Sequence, residues 1–170
     1  MAAFALLAMP LTASAQAPAP EPAPAPAPGA QTPPFRLGFG DMMVMAVQTR
    51  HTKLGLAFQA KNWELADWNR DELDETFRRL GRLYPKVEMM DIQPGLAMVK
   101  EPMDALKKAI DEKNAKDFTA AYERLTQACN ACHMAYKNPA ISIKVPAASA
   151  SMYPDQEFAP PRTNAPAKKK

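Results

Sequence analysis

The sequence predicts an all-α fold, an antiparallel up-down-up-down four-helix bundle over residues 38–138, with a C-x-x-C-H motif near the end of the fourth helix. Three observations predict it. Apolar residues between 38 and 137 recur at three- and four-residue steps almost throughout, the period of an amphipathic helix. Most of the 18 prolines lie outside that stretch, leaving its interior sparse in the residue that most often breaks helices. The expected connections are short, except for about ten residues after Tyr84, and short joints make successive helices antiparallel neighbours.

Each element has its own signals. The first helix is expected over about residues 39 to 60, with Met43, Val44, Val47, His51, Leu54 and Phe58 on one face. The second runs from about 63 to 84 behind Asn62 as N-cap, with Ala66, Leu73, Phe77, Leu80 and Tyr84 on its stripe and Pro85 beyond its end. The third carries Leu96, Val99, Met103, Leu106 and Ile110, interrupted by Pro102, which should kink it or mark a fresh start. In the fourth, Asn114 with Asp117 resembles a capping box, and Phe118, Ala121, Leu125, Ala128, Cys132 and Tyr136 follow until Asn138-Pro139 ends it. The one strand signal is the short ISIKV, 141–145, beyond the last helix.

The flanks differ in composition. Residues 1–15, MAAFALLAMPLTASA, read as the apolar core and small-residue cleavage site of a signal peptide. No Lys or Arg precedes the apolar run, so the start is expected to lie upstream. Residues 16–37 form an Ala/Pro-rich linker with polyproline II character, and residues 139–170 an extended Pro-rich tail that closes on Lys168 to Lys170. Export to the periplasm follows. No segment is long and apolar enough for an integral span of the mature chain. The net charge of +3 is too small and too evenly mixed to point to nucleic acid.

The chemistry is concentrated in CNACHMAY, 129–136, which holds both cysteines of the chain and one of its two histidines. C-x-x-C-H is the signature of covalent c-type heme attachment. Residues three apart on a helix share nearly one face, so the thiols of Cys129 and Cys132 can reach two vinyl groups along one porphyrin edge. His133, turned about 100°, can then offer its imidazole to the iron. One covalent heme c per chain is expected. A thioredoxin-like dithiol would instead sit at a helix start, where the dipole lowers a thiol pKa. A structural zinc needs a fourth ligand, and only His51 remains among cysteines and histidines. A disulfide between i and i+3 within a helix is geometrically awkward. These readings fit less well, and a heme-free bundle with a dithiol remains the third alternative.

The helical order and the placement of this motif resemble the class II c-type cytochromes, the cytochrome c′ family. The likeness in sequence is confined to 129–137, where CHMAYK has an aromatic residue three after the histidine and a basic residue following. The tail ISIKVPAASASMYPDQEFAPP stands outside that pattern, and together with TRHTKLGLAFQAKNWELA, 49–66, it resembles other exported heme-motif proteins, an expected distinct branch. The resemblance implies an exported four-helix bundle, with His133 as the proximal ligand of a heme lying along the bundle and covered by the first helix. It also implies that the sixth ligand divides function. A methionine makes a low-spin single-electron carrier with a redox partner protein, whereas a blocked position makes a five-coordinate binder of small gases such as NO or CO.

Helix arithmetic places His133 about 25 Å into the fourth helix at about 1.5 Å per residue. Counting the same distance back along the first helix arrives near residue 45. Of Met42, Met43 and Met45, only Met43 shares the inward face with Val44, Val47 and His51, so Met43 is the first candidate for the sixth ligand. A methionine there is otherwise core filler. His51 is the second candidate, expected two turns deeper, and otherwise a hydrogen-bonded core histidine. Tyr136 is expected against the heme edge, and Lys137 either at a propionate or simply at the helix end, where positive charge is favoured. Trp63 and Trp68 read as packing residues. Met42, Met45 and Leu56 make the outer face of the first helix more apolar than solvent requires, which offers a homodimer face of the kind the resemblance implies. No catalytic triad, carboxylate pair at metal spacing or phosphate loop is present, so no enzyme is expected beyond incidental heme peroxidase activity.

Overall fold

The computed structural model describes residues 35–147 and 153–161. The expected signal peptide, nearly all of the linker and the closing lysines lie outside these residues. Helix dominates, in four rods. Helix α1 consists of three consecutive segments, Phe39–Met42, a π-helical stretch Met43–Gln48, and Thr49–Gln59. Helices α2 (Trp63–Leu83), α3 (Gln93–Asp111) and α4 (Ala115–Ala135) follow. Among the described residues, no helix is long and apolar enough to cross a membrane.

The caps explain where the rods begin. Asn62 Oδ1 accepts from the Leu65 N–H at 3.0 Å, satisfying one orphan donor of α2. Asn114 Oδ1 accepts from the N–H groups of Lys116 and Asp117 at the start of α4. Asp117 takes part through the Asn114 side-chain amide, 2.7 Å away, and not by the reciprocal backbone bond expected of a capping box. Three helices end in the same way, with a lysine in the left-handed region followed by asparagine: Lys61-Asn62, Lys113-Asn114 and Lys137-Asn138, with φ of 59°, 51° and 61° at the lysines. The N–H of each asparagine returns to the carbonyl five residues back, that of Ala57, Ala109 or His133, closing the last turn in the manner usually served by glycine.

Helix α3 continues through Pro102, which is buried. The fresh start that proline allowed does not occur. The ten-residue stretch after Tyr84 holds a minimal antiparallel ladder, β1 (Lys86–Val87) with β2 (Met90–Asp91), which the sequence reading did not expect. Its loop residues Glu88 and Met89 both have positive φ, the signature of a type I′ turn. With Glu-Met in place of Asn-Gly, the usual signal is missing. Conversely, ISIKV forms no strand.

Packing follows the predicted stripes for α2, α3 and α4. Leu73, Leu80, Met103, Leu106, Phe118 and Leu125 are essentially sealed from solvent, each contributing about 1.5–3 kcal/mol of burial. Helices α1 and α4 meet through aromatic side chains. Phe58 stacks on Phe118 with ring centroids 4.0 Å apart, and Trp63 meets both edge-on. Trp68, by contrast, is 56% exposed and is not the packing residue expected, because α2 turns it outward.

The first helix carries the main correction. A π turn accommodates one more residue than an α turn, so the face is displaced ahead of Val47. Met42, expected outside, is 8% exposed, whereas Val44, expected inside, is 61% exposed. Leu56 is also buried. Of the three residues assigned to an outer apolar dimer face, only Met45 remains exposed, which removes most of that face.

Candidate functional site

The inner stripe of α4 loses burial toward its end. Phe118, Ala121 and Leu125 are buried, whereas Ala128, Cys132 and Tyr136 are half-buried. The motif therefore sits where the core opens. Leu37, Phe39, Met43, Tyr84, Val87 and Leu96 are likewise only partly covered against the core.

Cys129 and Cys132 are free thiols one helical turn apart. Cys129 packs against the core, and burial, reinforced by the neighbouring Cys132, pushes its thiol up to about 12. Burial raises Cys132 as well. Thiols held protonated in this way are poor exchange nucleophiles, which weighs against a dithiol oxidoreductase. Among the described residues no three His, Cys, Asp or Glu side chains gather to share an ion.

Gly95, in the first turn of α3, brings that helix against the motif. A Cβ built there would lie 2.8 Å from Cys132 Sγ and 2.9 Å from Tyr136 Cε2. Tyr136 donates its hydroxyl to the Asp91 carbonyl, tying the end of α4 to the hairpin. Lys137 is exposed and occupies the left-handed cap position, where its N–H bonds the Met134 carbonyl at 3.2 Å. His133 is partly buried, with Nδ1 2.9 Å from the carbonyl oxygen of Ile141. A carbonyl only accepts, so Nδ1 carries a proton, and in the neutral tautomer that this contact selects Nε2 keeps its lone pair.

His51 lies elsewhere. It is 2% exposed, stacked on the Tyr122 ring at 4.7 Å. Its Nδ1 is 3.1 Å from the Tyr122 hydroxyl and its Nε2 3.0 Å from Thr126 Oγ1. Thr126 precedes His133 by seven residues, about 10 Å along the axis. Both ring nitrogens lie within hydrogen-bonding distance of a hydroxyl oxygen, so His51 is a core residue, and the structure does not bring it to the motif. Burial lowers its pKa to about 4.

The contacts of His51 with Tyr122 and Thr126, and of Phe58 with Phe118, run in opposite chain directions. Carried on to His133, that register arrives on α1 at about residues 40 to 44, up to a turn earlier than the count from sequence. Met42 and Met43 lie within this interval, Met42 buried and Met43 partly so. Sequence reasoning singled out the cysteines, His133 and Met43. It missed Gly95, although a glycine in the first turn of a helix signals close approach, and it missed Met42, because nothing in the apolar period marks a π turn.

No protein-family model, curated protein or solved structure is significantly similar to the chain.

The residues fit a covalently attached heme. Two thiols lie on one side of a helix where apolar covering is incomplete, and among the described residues Nε2 of the adjacent imidazole has no hydrogen-bond partner.

Proposed function

We propose that this chain is a periplasmic c-type cytochrome and single-electron carrier, folded as an antiparallel up-down-up-down four-helix bundle. Cys129 and Cys132 would tether the heme through thioethers, His133 would supply the proximal ligand, and a methionine at the start of the π stretch or just before it, Met43 or Met42, would supply the sixth. The observation that carries the reading is the state of His133. Its Nδ1 is committed to the Ile141 carbonyl, which leaves Nε2 as a donor immediately after two free thiols one turn apart.

A bound heme supplies a one-electron ferrous/ferric couple. The chain supplies the rest. Cys129 and Cys132 fix the position along α4, Gly95 lets α3 approach Cys132 closely, and Tyr136 anchors that end to the hairpin. The apolar side chains around the motif would lower the local dielectric, which favours the less charged state of a bound heme.

The test is expression of the full chain in a host with c-type heme maturation machinery. Heme retained through denaturing electrophoresis, with a low-spin spectrum and a methionine-to-iron charge-transfer band, is the expected result. A high-spin spectrum that shifts with CO would assign the chain to the five-coordinate gas binders instead. Absence of covalent heme would overturn both and leave a helical bundle with a dithiol.

A further inference from the structure

The segment Ile141–Pro146 follows α4 and is not used by the proposed function. Its sequence is apolar, yet Ile141 and Val145 turn their side chains outward, 52% and 47% exposed. It is held by its backbone. Asn130, on α4, grips Ile143 from both sides: Nδ2 donates to the Ile143 carbonyl at 2.9 Å, and Oδ1 accepts from the Ile143 N–H at 2.7 Å. Gln59 of α1 donates to the Pro146 carbonyl at 2.7 Å. Pro146 lies over Gly55, where a Cβ would come within 2.7 Å of its ring. The segment is thus a strap from α4 to α1, and hydrophobic burial explains little of it. What it delivers is one carbonyl, that of Ile141, to Nδ1 of His133.

We infer that this strap is a positioning element for His133, with Asn130 as the positioning residue that sets it. The Ile141 carbonyl holds the proton on Nδ1, fixes the ring orientation and leaves Nε2 to act as the ligand nitrogen. A carbonyl accepting from Nδ1 also makes an imidazole a stronger donor through Nε2, which favours the ferric state and lowers the potential. The inference rests on the proposed heme function, but its first test does not need heme.

In the heme-free full chain at about pH 8, where imidazole is ordinarily neutral, nitrogen-resolved NMR should find His133 as the Nδ1–H tautomer. Asn130→Ala, which releases both bonds to Ile143, should lower the ratio of Nδ1–H to Nε2–H roughly fivefold, the effect of one ordinary hydrogen bond. Ile143→Pro removes the N–H from the opposite side, leaves α4 unchanged, and should do the same. Ile141→Ala keeps the carbonyl and should leave the ratio alone. In the matured protein, the first two variants should raise the midpoint potential and the third should not. An unmoved tautomer ratio in Asn130→Ala and Ile143→Pro, or an equal shift in Ile141→Ala, overturns the inference whatever the potential does. Failure of the wild type to retain heme would defeat the proposed function, and the tautomer ratios would still report on the strap.

Discussion

His51 gives the sharpest test of the core. Tyr122 donates its hydroxyl to the His51 carbonyl at 2.6 Å, and Thr126 donates its own to the Tyr122 carbonyl at 2.9 Å. Both hydroxyl protons are committed, so both imidazole nitrogens face oxygen lone pairs. An imidazolium would satisfy the two contacts, whereas a neutral ring donates only once. Burial acts the other way, and it dominates, lowering the pKa from 6.5 to about 4. A pKa depressed in the folded state means that the unfolded chain takes up the proton first. The associated stability is present above pH 6.5 and is lost as pH falls toward 4. At about 1.36 kcal/mol per pKa unit, this amounts to about 3 kcal/mol, a large share of a typical domain's stability. Urea unfolding of the wild type and of His51→Gln across pH 7.5 to 3.5 isolates it, because the carboxylates common to both cancel. The wild type should lose about 3 kcal/mol relative to the variant over that range. A constant difference would show that the hydrogen bonds offset burial, and a relative gain by the wild type in acid that they outweigh it and favour the charged ring.

Replacing Met43 and Met42 singly by leucine should separate ligand from filler. One of the two should abolish the charge-transfer band of the matured protein and open the iron to CO, and unchanged spectra in both would remove methionine from the site. Gly95→Ala drives a methyl group against Cys132 and Tyr136 and should cost about 1–3 kcal/mol by thermal unfolding, as overpacking does. Its covalent heme yield should fall as well, read from heme stain per protein. Lys113→Gly relieves a left-handed residue at the end of α3 and should raise stability by about 1 kcal/mol in the same assay. A loss there would show that the lysine side chain contributes more than its backbone strain costs.

The all-α class, the positions of α2, α3 and α4, and the two thiols followed by an imidazole were determined by the sequence alone, because each is written in local spacing. A 3.6-residue period, an asparagine before a helix and a C-x-x-C-H run need no distant partner to be recognised. The lysine-asparagine closures were equally local, but went unread because glycine is the usual occupant of that position. Tertiary structure decided what depends on contacts far apart in the chain. The π turn rotated Met42 inward and Val44 outward, a displacement of one residue that the apolar pattern tolerates in either register. His51, Tyr122 and Thr126 became a closed network only when α1 met α4, which turned a possible iron ligand into a core residue. The return of Ile141 to His133 joins a tail without regular structure to the end of a helix through a backbone carbonyl, and every residue type carries one. No side-chain pattern could have announced it.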